Sequence, residues 1–148
     1  MAAVAREALG EVRLVWLRYL PHIQIHEPVA LVHASPGNLW RAPMLTASDE
    51  DLQAAYGPLG QAVVVYGHIH LPYVRACCGT VTVANSGSVG RPHDGDPRAS
   101  YLLVDDALPE IRRVEHDIER EVKRLADSAF PHGEWVAKIL VSGRFQMP

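Results

Sequence analysis

Three histidines, His33, His68 and His70, have the residue type and spacing that could do chemistry. Neutral imidazole is a nitrogen ligand suited to zinc, manganese, iron or nickel. His68 and His70 stand two apart behind Gly67, which permits a sharp exit from whatever precedes it. That spacing can aim two rings at neighbouring positions. Taken singly, His33 reads more readily as a hydrogen-bonded histidine in a core or at an edge, and a His-x-His pair is a weak signal. The setting is stronger. Val29-Ala30-Leu31-Val32 runs into His33, and Val63-Val64-Val65-Tyr66 runs into Gly67-His68-Ile69-His70. Continuous apolar runs of this length read as strands covered on both faces, and in open α/β sheets ligands gather outside the carboxyl ends of the strands.

The elements that must hold these strand ends are legible in outline. Residues 4–20 read as an amphipathic helix with Leu9, Val12, Trp16 and Leu20 on its core stripe, ended by Pro21. His22 to Ile25 is a short strand, turned through His26-Glu27-Pro28 into Val29 to His33. Ser48 and Asp51 form a capping-box start for a helix to about Tyr56. Ala62 to Tyr66 is a fully apolar strand, and Tyr73 to Cys77 and Thr80 to Ala84 follow with Gly79 at the turn. Asn85 to Pro97 is a glycine- and proline-rich loop. Tyr101 to Val104 and Ile111 to Val114 suggest a hairpin. Asp117 caps a helix facing inward through Ile118, Val122 and Leu125, and Glu134 to Leu140 is a last short helix. The order predicts an α/β fold, a mixed β-sheet with helices on one face, in a single domain over residues 1–148.

Bulk properties fit that outline. A chain of 148 residues, 48% hydrophobic and 21% charged, is an ordinary globular composition with enough length for a real core. A net charge of -3 gives no electrostatic reason to expect nucleic acid or an anionic membrane as partner. The only cysteines, Cys77 and Cys78, are neighbours and cannot close an ordinary disulfide loop. No leader and no stretch near the ~20 apolar residues of a membrane span is read. A reducing cytoplasm is the expected setting.

Three motifs carry a resemblance. Leu31-Val32-His33-Ala34-Ser35-Pro36 is similar to a valine-histidine-glycine-serine-proline motif. Val65-Tyr66-Gly67-His68-Ile69-His70-Leu71-Pro72 is similar to a glycine-histidine-threonine-histidine-x-proline motif. Asn85-Ser86-Gly87-Ser88-Val89-Gly90, with Asp94-Gly95-Asp96-Pro97-Arg98-Ala99-Ser100-Tyr101 after it, is similar to an asparagine-proline-glycine-serine loop and its following strand. In this order and spacing they resemble the calcineurin-like metallophosphoesterases, specifically the small prokaryotic phosphodiesterase branch, over nearly the whole chain. The resemblance implies half of a four-layer αββα sandwich. It implies hydrolysis of phosphodiesters or phosphomonoesters by a metal-activated water, with divalent transition-metal ions (manganese, zinc, iron or nickel) as cofactor. It makes His33 and His68 ligands of one ion and His70 a ligand of the other. Asn85 and Ser88 are then polar groups behind the ligands or on the substrate side, or equally a turn held by its own hydrogen bonds. Arg91 and Arg98 are candidate phosphate contacts, against the plainer reading of solvated loop charges. His22 and His26 are expected in solvent, and His93, His116 and His132 in loops or strand ends.

The family's earlier motifs, an aspartate-x-histidine, a glycine-aspartate and a glycine-asparagine-histidine, do not occur in these 148 residues. The sequence therefore reads as the C-terminal portion of such a domain, without the N-terminal half that supplies the bridging carboxylate, and as incomplete for catalysis alone. The alternative is a non-catalytic remnant or binding module with at most a weak metal site. Apolar strands lacking that half predict a homodimer or a complex with a complementing N-terminal half; the substrate would be a phosphate ester. Ala34, Ile69 and Ser86 depart from the family residues, and Ala34 stands where a change could alter the His33 loop.

Overall fold

The architecture comes from a computed structural model that describes residues 2–77, 79–128 and 130–147. Met1 of the leader reading and Cys78 of the cysteine pair lie outside the described residues. Valine-rich segments with extended preference form the centre. Val29–Val32 (β2) pairs parallel with Val63–Tyr66 (β3), which pairs parallel with Val81–Asn85 (β5). Ile23–His26 (β1) and Tyr73–Cys77 (β4) add antiparallel edges, giving the order β1-β2-β3-β5-β4. Ala99–Asp105 (β6) and Leu108–Val114 (β7) form a separate hairpin, turned through Asp106 and Ala107 at positive φ. The helices are α1 (Ala2–Arg18), α2 (Asp49–Tyr56), α3 (Ile118–Asp127) and α4 (Gly133–Ser142). The mixed α/β fold is as the sequence predicts, with strand ends shifted by a residue or so and the hairpin longer than expected.

The register does the positioning. Val32 lies opposite Tyr66, and Tyr66 opposite Asn85. Three parallel strands therefore end on one level, and the loops bearing His33, His68 and His70, and Ser88 leave the sheet side by side.

The main core cluster lies under one face of this sheet. Ala30, Val32, Val64, Tyr66, Val81 and Val83 pack with Leu52 and Tyr56 of α2. Full burial of a Leu- or Phe-sized side chain is worth about 1.5–3 kcal/mol, so α2 is held chiefly by these two residues. Its start is the expected capping box: Asp51 N–H donates to Ser48 Oγ at 3.1 Å and Ser48 N–H to the Asp51 carboxylate at 3.2 Å.

Two expectations fail here. β2 is not covered on both faces: its burial alternates, and Leu31 is 38% exposed. Among the described residues, α1 buries none, with Val12 85% and Trp16 62% exposed. Its backbone breaks at Gly10 (φ 71, ψ 164), so Leu9 and Trp16 do not share one continuous helical face. Periodicity predicts which residues share a face of a helix; it does not supply a surface to meet it. Among the described residues, no helix is long and apolar enough to cross a membrane.

Candidate metal centre

His33 leaves β2 and His68 leaves β3 after Gly67, and the two imidazoles meet edge to face with centroids 5.3 Å apart. The loops are pinned together by the Gly67 N–H, which donates to His33 O at 3.0 Å. Ala34 is buried, and the Tyr56 hydroxyl donates to its carbonyl at 2.7 Å. The extra methyl at this position is therefore absorbed by the core.

The His68-Ile69-His70 turn is tight. Ile69 N–H donates back to Gly67 O at 2.8 Å, and the Ile69 side chain enters the core while its two neighbours stay partly exposed. Both histidines adopt left-handed backbone, φ 65 at His68 and φ 59 at His70. Non-glycine residues in this region cost on the order of 1–3 kcal/mol and collect at functional sites. The sequence carries no sign of it, since glycine, the usual marker of such backbone, is absent at both positions.

His70 is the most constrained of the three. Its Nδ1 is 2.8 Å from Arg91 O, where it donates, leaving Nε2 as the nitrogen able to ligate. Burial pushes its pKa below the ordinary imidazole value, the Arg91 backbone hydrogen bond opposes this, and the charges of Arg91, His68 and His33 lower it further. The three predicted ligands thus share one electrostatic neighbourhood.

Asn85 and Ser88 act on these loops through backbone. Asn85, fully buried, donates from Nδ2 to Gly67 O at 2.6 Å and accepts from Gly87 N–H at 2.9 Å. Ser88 Oγ accepts from Arg91 N–H at 2.8 Å, fixing the residue whose carbonyl receives His70. The two arginines are engaged elsewhere: Arg91 lies over the Trp135 ring, 4.6 Å from its centroid, and Arg98 is paired with Asp96 at 2.6 Å. Asp94 and Asp96 both pair with Arg113. His22, His26 and His132 are exposed. His93, expected as an unremarkable loop residue, instead stacks on His70 with centroids 4.8 Å apart. No spacing rule links positions 70 and 93, so only the folded loop reveals the pair.

In kind the imidazoles fit a divalent transition metal, and the fixed His70 tautomer suits a ligand. In number they do not close a site: among the described residues, no three of His, Cys, Asp or Glu come together as a group able to hold an ion.

Known proteins share this fold. The solved metallophosphoesterase of Sphaerobacter thermophilus superposes with a TM-score of 0.77 at 23% identity, over 93% of this chain and 65% of that one. A hypothetical protein of Pyrococcus horikoshii gives 0.78 at 23% identity, over 95% of this chain and 57% of that one. Both show the fold. An uncharacterized protein of Methanocaldococcus jannaschii is 33% identical over 105 residues, covering 60% of this chain and 41% of that one. The chain thus spans between 41% and 65% of the length of these proteins. The family model for the calcineurin-like phosphoesterase superfamily domain matches residues 15–107, well over half of the chain, and takes in His33, His68, His70, Asn85 and Ser88. The chain belongs to the calcineurin-like phosphoesterase superfamily.

Proposed function

We propose that this chain is the histidine-bearing portion of a metal-dependent phosphoesterase domain, with His33, His68 and His70 as its ligands. The observation that supports the reading is the level ending of β2 and β3, which puts the loops bearing the three histidines at one end of the sheet, with His70 Nε2 left available. A divalent ion bound there would supply positive charge to phosphoryl oxygens and acidity to a water. The residues of this chain bind and orient. His33 and His68 offer a pair of nitrogens, His70 a third, and Asn85, Ser88 and Tyr56 hold their loops through backbone contacts. The carboxylate and asparagine ligands of a two-ion site are proposed to come from residues outside these 148, in keeping with the partial coverage of the relatives.

Elemental analysis and calorimetric zinc titration of the purified chain, with His68→Ala and His70→Ala beside it, test the ligands. The expected result is one weakly held ion, lost in both variants; unchanged metal content in the variants would sink the assignment. Hydrolysis of a chromogenic phosphodiester tests completeness. The chain alone is expected to turn over no faster than metal in buffer, because the bridging ligand and the acid–base help, itself about 10²–10⁴-fold, are supplied elsewhere. A metal-dependent turnover abolished by His33→Ala would show instead that the chain is sufficient.

A further inference from the structure

The His93 imidazole lies nearly parallel to that of His70, their planes 30° apart, and the Phe145 ring meets His93 edge-on with centroids 5.3 Å apart. The His93 N–H also donates to His70 O at 3.2 Å. Two residues earlier in the same segment, Arg91 O receives His70 Nδ1, and Pro92 between them is fully buried. Residues 91–93 therefore grip His70 at a ring nitrogen, at a ring face and at its carbonyl. The grip is backed by the end of the chain. Gly95 N–H donates to Gly143 O at 2.7 Å, Asp94 bridges Arg144, and Arg91 lies over Trp135 of α4.

A histidine ring has a broad, roughly two-fold torsion about its outer bond. One hydrogen bond at Nδ1 restrains that torsion, and a flat ring against the face restrains it again. We propose that His93 and Phe145 are positioning residues for His70, holding its imidazole in one tautomer and one orientation with Nε2 left free at the C-terminal end of the inner strands. The inference rests on the reading of His70 as a ligand, but its geometric content can be tested without any metal.

The test is ¹⁵N-resolved NMR of the histidine side chains in the metal-free 148-residue chain, followed by zinc titration. Wild type and His93→Phe, which keeps a flat ring at the stack, should both show His70 as a single Nδ1–H tautomer. His93→Ala should show His70 averaging between tautomers. Phe145→Ala should show the same averaging to a smaller degree; Phe145 is largely exposed, so this variant tests the idea without disturbing the core. Zinc affinity should fall about 10–100-fold in His93→Ala, the usual cost of losing support behind a ligand, and recover in His93→Phe. A His70 tautomer that stays single in both alanine variants overturns the proposal. If tautomers respond as stated while no variant, nor wild type, binds zinc, the positioning role stands and the ligand reading fails.

Discussion

The Tyr56 hydroxyl on α2 reaches across to the carbonyl of Ala34, at 2.7 Å, and so couples the helix covering the sheet to the residue beside His33. Burial, the largest cause, pushes the Tyr56 pKa well above its ordinary value, so the phenol remains a donor throughout the accessible pH range. Tyr56→Phe leaves the Ala34 carbonyl buried without its partner. The expected cost is about 1–3 kcal/mol, read as a lower urea midpoint with unchanged slope. Weaker zinc binding should accompany it, because His33 loses its anchor. A stability loss with undiminished zinc affinity would separate the hydrogen bond from the site.

His68 presents the opposite balance. Its left-handed backbone costs energy, and among the described residues its side chain contributes an edge contact to His33 and no hydrogen bond. Asparagine tolerates that conformation. His68→Asn is therefore expected to match or slightly exceed wild type in thermal stability, by no more than about 1 kcal/mol, while metal content falls. A large destabilisation would mean that the ring holds the fold rather than serving a ligand.

Gly143 is where a side chain has no room. With φ at +64, a methyl there would stand 2.8–2.9 Å from backbone atoms of Gly95 and Asp96. Backbone cannot swing aside, so Gly143→Ala should destabilise by more than ~1 kcal/mol, measured by denaturant unfolding. The same change at exposed Gly60 (φ +67), where nothing lies within 4 Å, carries only the conformational penalty and should cost less.

The metal-free chain should lose stability as pH falls below 6.5. Burial depresses the His70 and His93 pKa values below the ordinary 6.5, in both cases as the largest cause. Between the folded values and 6.5 the unfolded chain binds more protons, so unfolding free energy rises with pH. The contribution is full above 6.5 and is lost as pH falls through the folded values. Urea midpoints between pH 5 and 7.5 should show this slope, and His93→Phe should flatten it. An identical profile in that variant would count against a folded-state cause at His93.

Exposed apolar side chains on α1 and the loop after β2, notably Val12, Trp16 and Trp40, predict association in solution. Light scattering over a dilution series is expected to show a concentration-dependent species larger than a monomer. Trp16→Glu should shift it toward monomer. A monomer of wild type at every concentration, with no uptake of a hydrophobic dye, would show that these side chains do not drive association.

Strands and caps were legible because they are written locally. Valines in Val63–Tyr66, the Ser48–Asp51 pair and the glycine before His68 each state their element within a few residues. The candidate ligands were legible from where two apolar runs stop. The surroundings of those ligands were not. Tyr56 meets Ala34 from 22 positions away, and nothing in the sequence ties His93 to His70. Arg98, readable as a phosphate contact, is held by Asp96 two residues before it, an ion pair that composition could not distinguish from a free charge. The α1 stripe was legible and misleading: amphipathic spacing is real there, yet none of its described residues is buried.

The stitching of Gly95 to Gly143 and of Asp94 to Arg144 has a consequence for the order in which the molecule is made. Synthesis runs from β2 through β5 long before α4 leaves the ribosome, and early segments begin folding as they emerge, at roughly 5–20 residues per second. The histidine-bearing turns can therefore be paired in the sheet while the bracket around His70 is still open, since Phe145 emerges some 75 residues after His70. Trimming even the residues after Ser142 would return a finished chain to that unfinished condition.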